Sequence, residues 1–161
     1  MSIYMKTYGG LTMMSIYIMN MDGTNPVRLT DSPEDEKSPL WSPDGTQIAY
    51  SVVSVGINRP QQIRAITVDG TNPVHLTDNN SGWKDTPTWS PDGTQIAFTG
   101  EREDGSGTDI FIMNADGTNL VQLTHSEGQV VGQFPSWLPV AGPSTTLIEA
   151  ISWGTIKANP R

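Results

Sequence analysis

Seventeen Asp and Glu side chains stand against nine Lys and Arg and two histidines, so carboxylates are the main chemical resource of this chain. The densest group is Glu101–Asp109, EREDGSGTD, where Asp104, Ser106 and Asp109 place oxygen donors on a glycine-rich loop. Oxygen ligands on such a loop suit calcium. The spacing lacks the twelve-residue pattern with its closing bidentate Glu, and Asp-Gly is also a strong hairpin signal. A plain hairpin loop without cofactor is the expectation, with calcium the alternative. The acidic run Glu34-Asp35-Glu36 reads as a solvated loop, which on a chain of net charge −8 could steer a cationic partner.

Catalytic arrangements are poorly served. His75 takes the place held by Arg28 and Gln122 in sister segments, and His125 that of Asp31 and Asp78. Neither lies beside a nucleophile motif, since GxSxG and HExxH are absent. The phosphate-cradling and dinucleotide-binding glycine motifs are missing too. Glycoside cleavage needs two carboxylates across a cleft, and the linear order pairs none. The expectation is a chain without catalytic residues.

The elements that would position these side chains come from internal repetition. WSPDGTQIAY (Trp41–Tyr50) returns as WSPDGTQIAF (Trp89–Phe98), 48 residues on. A degraded third copy keeps Pro135 and Trp137. In step with it run DGTNPVRLT at Asp22, DGTNPVHLT at Asp69 and DGTNLVQLT at Asp116, each 47 residues from the last. A fixed period of this size signals a propeller or a solenoid. High Gly and Pro content with little charge favours short strands and tight turns over helices. Strands are predicted over Ser15–Met21 and Val27–Thr30 (c, d), then Pro39–Ser42, Gln47–Val53, Gln62–Val68 and Val74–Thr77 (a to d). The cycle repeats over Pro87–Ser90, Gln95–Thr99, Asp109–Ala115 and Val121–Thr124, and ends with Phe134–Leu138 and Thr146–Ser152 (a, b). Trp41, Trp89 and Trp137 read as packing between neighbouring units, with an aromatic cage for sugars or cations as the alternative. Asp44, Asp92, Asp22, Asp69 and Asp116 are turn formers first, with metal binding second.

The pair PxWSPDGxxIA(F/Y) and (I)xxMxxDGTNxxxLT resembles the WD40-like PD repeat of the TolB-type six-bladed β-propeller family. The resemblance covers about Ser15–Leu138, with two of three copies near consensus. Leu138–Gly142 stands where SPDGT belongs in the third. The resemblance implies an all-β fold of four-stranded antiparallel blades and a ring of six. It also implies a periplasmic or secreted setting, whereas the residues as written contain no convincing signal peptide and read as cytoplasmic.

Three blade-equivalents cannot close a ring, because closed propellers have roughly four to eight blades. The expected solution is a homodimer, the commonest oligomer, with the a–b pair of one copy completing the c–d pair of the other. A piece of a longer propeller is the alternative. On this reading residues 1–13 are a lead-in or edge strand, 14–153 a half propeller and 154–161 a tail. The a–b and c–d turns are nearly constant between copies, while the b–c and d–a loops differ. Variable loops on a constant scaffold usually carry binding. The expected binding residues are therefore Glu34, Asp35, Glu36, Asn58, Arg59, Trp83, Lys84, Arg102, Glu103 and Asp104. A protein or peptide partner comes first, and a carbohydrate or small molecule on Trp83 second. Hydrolase or lyase chemistry by channel carboxylates comes last. Scattered basic residues argue against nucleic acid, and no run is long enough for a membrane-spanning helix.

Overall fold

The computed structural model describes residues 1–7, 13–54, 60–78, 82–126, 134–138 and 147–148. Among them the chain forms strands only. The first sheet contains β1 (Ser2–Thr7), β2 (Met14–Met19) and β3 (Val27–Arg28). A four-stranded sheet follows, of β4 (Asp35–Trp41), β5 (Gln47–Val53), β6 (Gln61–Thr67) and β7 (Val74–His75). Its repeat is β8 (Lys84–Trp89), β9 (Gln95–Glu101), β10 (Thr108–Asn114) and β11 (Val121–Gln122). Last come β12 (Ser136–Trp137) and β13 (Leu147–Ile148). Every pairing is antiparallel between consecutive strands, so the sheets are meanders that correspond to propeller blades.

Alternation along the strands explains why the sheets stack. On β5, Ile48, Tyr50 and Val52 face the first sheet and join Ile16, Ile18 and Leu29 in one apolar cluster. Ala49 points the opposite way and joins Ile63, Ala65 and Leu76 against Trp89, Ile96, Phe98 and Met113 of the third sheet. Successive strand residues project to opposite faces, so a strand covered on both sides reads as the near-continuous apolar run seen at Ile48–Val53. The core thus lies between sheets.

Turn chemistry locks each unit in the same way. In the a–b turns the Asp44 and Asp92 carboxylates accept the amide N–H of Thr46 and Thr94, both at 3.0 Å. In the c–d turns Asp22, Asp69 and Asp116 accept those of Thr24, Thr71 and Thr118 at 2.9–3.0 Å. The glycine after each c–d Asp has positive φ: +82° at Gly23, +80° at Gly70 and +85° at Gly117. Turn geometry alone would explain these glycines, but two of them also meet the preceding sheet. A Cβ on Gly70 would lie 3.2 Å from the Leu29 carbonyl oxygen, and one on Gly117 only 2.6 Å from that of Leu76. At Gly23 the same space is open.

Three expectations need correction. The first unit is not c–d alone, because β1 pairs along the whole of β2, from Ser2 opposite Met19 to Thr7 opposite Met14. It occupies the place of strand b: Tyr4 stacks on Tyr17 at 5.3 Å as Phe98 stacks on Phe111 at 5.7 Å. The a strands start earlier than predicted, at Asp35 and Lys84, and continue through an irregularity before Pro39 and Pro87. Ser38 and Thr86 absorb it at φ of +50° and +54°. The d strands pair over two residues each. Of the predicted final strand, Leu147–Ile148 is described, paired with Ser136–Trp137. The turn at 139–143 and the tail at 154–161 lie outside the described residues.

The glycine contacts give a direct test of stacking. Gly23→Ala and Gly117→Ala impose the same backbone strain, but only the second drives a methyl into a neighbouring sheet. Urea unfolding should find Gly117→Ala the more destabilising by about 1–3 kcal/mol, the usual cost of overpacking.

Candidate functional site

At the end of the sheets opposite the constant turns, the described loops and strand ends carry most of the predicted binding residues. Here the acidic run is not a solvated loop. Asp35 and Glu36 belong to β4, and Glu36 is 1% exposed. Its Oε2 accepts the Ile16 amide at 3.3 Å and the Thr30 hydroxyl, while Oε1 accepts the Ser32 hydroxyl at 2.9 Å. Burial pushes its carboxyl above the ordinary glutamate value, and hydrogen bonds from Thr30, Ser32 and Ile16 oppose that rise. Asp35 accepts the Met14 amide at 2.8 Å. Both side chains therefore tie the second sheet to the first, because a buried acceptor must find donors. Glu34 pairs with Arg64, whose Nη2 donates to Oε1 at 3.0 Å.

The third sheet carries a related joint. Asp85 Oδ1 accepts the Ser38 hydroxyl at 2.8 Å and the Ser51 hydroxyl at 2.6 Å across the sheet boundary. It also takes the Thr86 amide at 2.6 Å, which helps hold that residue at positive φ. Sequence reasoning placed Asp85 at the end of a contact loop (Asp78–Asp85) without a role of its own, and passed over Ser51 and Arg64. A signal existed for Asp85: Lys84-Asp85 stands where the previous repeat has Glu36-Lys37, a paired charge reversal.

Asp109 is fully buried and unavailable to a cation. Its Oδ2 accepts Arg102 Nε at 2.7 Å and Gln122 Nε2 at 2.8 Å; its Oδ1 accepts the Thr124 hydroxyl at 2.9 Å and the Ser126 amide at 3.0 Å. Burial alone would raise its pKa, but the donors, led by the Ser126 amide and Arg102, outweigh that and hold it low. Asp104 instead caps its own turn, accepting the Ser106 amide at 2.9 Å. Arg102 Nη1 donates to the Ser106 hydroxyl at 2.9 Å, so the guanidinium braces this loop from beneath. Among the described residues no group of three or more Asp, Glu, His or Cys is placed to hold a metal ion.

Lys84 is buried on β8 and reaches Asp78 at 3.8 Å; burial lowers its pKa. Trp83 is half-buried, and its backbone is clamped to Glu101: the Glu101 amide donates to the Trp83 carbonyl at 2.7 Å. Part of its ring surface therefore remains open to solvent. Glu103 and Asp104 remain exposed at the tip of the β9–β10 loop. Asn58 and Arg59 lie outside the described residues. The loop end thus keeps an exposed tip at residues 103–106 above a layer of buried ion pairs. Among the repeated tryptophans, Trp89 lies in the core, and Trp137 Nε1 donates to the Thr88 carbonyl of the neighbouring sheet at 3.1 Å. That contact is packing between units.

Replacing Glu36 tests its burial. A raised folded-state pKa means the folded chain binds the proton more tightly. Glu36's own contribution to stability should be fully present below the unfolded glutamate pKa of about 4.3 and be lost as pH rises through the higher folded value. The difference in urea midpoint between the unaltered chain and Glu36→Gln, followed against pH, should isolate that fall, because the low-pKa aspartates titrate alike in both. Glu36→Ala, which orphans buried donors, should cost about 1–3 kcal/mol near pH 4.

The chain has clear relatives. A family model described as the TolB beta propeller domain matches residues 3–143. A curated relative, the Tol-Pal system protein TolB of Nitrosococcus oceani, is 46% identical over 41 residues, which are 26% of this chain and 9% of that protein. Among solved structures, a TolB of Agrobacterium tumefaciens superposes with a TM-score of 0.65 at 23% identity, over 82% of this chain and 44% of that one. TolB of Acinetobacter baumannii gives 0.58 at 20% identity, over 84% and 34%. An oligogalacturonate lyase in complex with manganese gives 0.52 at 16% identity, over 70% and 29%. The chain therefore spans less than half the length of these relatives, one of which is a lyase by name.

Proposed function

The chain belongs to the TolB beta propeller domain family, and on that premise we propose that it is a non-catalytic propeller scaffold that binds a protein or peptide. The observation that carries this reading is the contrast between the two ends of the sheets. Constant turns close one end, while at the other an exposed tip, Glu103–Ser106, stands on a braced base of Arg102 and Asp109. A rigid support under a variable loop is how binding loops are usually presented. Such a loop recognises shape and charge without needing a nucleophile. The name of the curated relative links it to a Tol-Pal system; only the class of partner, a protein, is carried over here. The compartment we assign is the periplasm implied by the family, in place of the cytoplasm.

Replacement of residues 103–106 by Gly-Ser-Gly-Ser, with Arg102 and Asp109 kept, should leave the circular dichroism unchanged. It should lower partner recovery from a periplasmic extract by about tenfold, as loss of a small interface anchor does. Undiminished recovery would remove the loop end as the binding surface.

Ring completion by a second copy belongs to the same proposal. With β1 already against β2, the partner's β12–β13 pair can complete the first blade only if β13 takes the place of β1. A half-exposed strand with one paired edge is the piece able to yield. Deleting residues 1–7 should therefore raise the dimer fraction seen by light scattering. A monomer in both forms, at native circular dichroism, would exclude closure by shared blades.

A further inference from the structure

We propose that the turn end of the junction between the second and third sheets is a second docking site, one that takes a cationic peptide segment. Two hollows adjoin there. The inner one, of about 500 Å³, is lined by Ser42, Asp44, Trp89 and Asp92, among others. The outer one, of about 360 Å³, is walled by Ala65, Ile66, Val74 and Leu76, with Asp116 at its rim. Gln47 and Ala115 border both, so the hollows form one groove that is acidic at its inner end and mainly apolar further out.

Charge placement selects the occupant. In an antiparallel meander the a–b and c–d turns fall at the same end of the sheet, so Asp22, Asp44, Asp69, Asp92 and Asp116 share one end of the molecule. The described Lys and Arg side chains lie away from it. Lys6, Lys37 and Lys84 pair with Ser15, Ser51 and Gly100, towards the loop end of their strands. Arg28 bonds Asp31, Arg64 bonds Glu34 and Arg102 bonds Asp109, again in that direction. The turn end therefore projects negative charge without a Lys or Arg counterweight among the described residues. Asp44 and Asp92 are ionised, held below the ordinary aspartate value first by Ser42 and Ser90 respectively and then by the turn threonines. A carboxylate has about four acceptor positions, so each can still receive a Lys or Arg donor.

A second feature favours a peptide over a small cation. Trp89, 7% exposed, forms part of the inner wall, and Ala65, Ile66, Val74 and Leu76 wall the outer hollow. Apolar side chains of a segment gain by covering such a surface. A lone ammonium ion would leave the apolar outer hollow unfilled. Nucleic acid is excluded by the sign of the charge. The fitting segment is extended, with a Lys or Arg beside an apolar side chain. This site lies at the opposite end of the sheets from the loop-end surface proposed above and stands independently of it.

Val74 and Val121 occupy equivalent positions, 47% and 53% exposed, but only Val74 borders the groove. The probe is fluorescein-labelled Leu-Lys-Leu-Lys-Leu-Lys, followed by anisotropy at low salt on the full chain. Val74→Lys should weaken its binding by about tenfold or more, as like charge in a complementary interface does. Val121→Lys should leave it unchanged, and the peptide with Glu for Lys should not bind. Equal weakening by both variants would mean diffuse charge attraction and overturn the site. So would full displacement of the peptide by equimolar spermidine, which would mark a small-amine site.

Discussion

Apolar faces on both sides of each sheet are the constraint on which the molecule depends. A two-sided sheet cannot satisfy itself; each face must be covered by a neighbour, and each neighbour brings an uncovered face of its own. The two apolar clusters sit at the two successive boundaries, Ile16 and Leu29 with Ile48 at one, Leu76 with Trp89 and Phe98 at the other. This is the nearest-neighbour energetics of repeat architectures, in which each unit is stabilised chiefly by those beside it.

Polar groups follow the same rule in a different currency. Glu36 and Asp35 leave their own sheet to collect donors from the first, and Asp85 leaves the third to collect donors from the second. The loop end is therefore rigid beneath its surface, and exposed carboxylates such as Glu103 and Asp104 sit on a base whose charges are already matched. A binding surface so built gives up little conformational entropy when a partner arrives.

Much of the fold could be read from residues alone, because turn chemistry is local. Asp-Gly-Thr needs no distant partner to form its turn, and WSPDGT spaced by 48 residues repeats the same instructions. What escaped was decided by contacts between units. Glu36 looked solvated because its donors, Ile16 and Thr30, belong to another sheet. The start of β4 was placed late because Pro39 suggested a strand beginning, whereas Ser38 takes positive φ and donates to Asp85. The role of β1 depended on pairing with β2, which the echo of SIY in both strands hinted at without fixing the register. Asp109 looked like a loop ligand because nothing in the linear order announces that Arg102, Gln122, Thr124 and Ser126 converge on it.

The close approach of Gly117 to Leu76, and of Gly70 to Leu29, has an evolutionary corollary. The c–d turns of both boundaries meet the preceding sheet through the same backbone surface, so the turn contact of an extra copy of the repeat would arrive already complementary. Duplication or loss of one module then requires compensating change chiefly in the polar joints, which differ between Glu36 and Asp85.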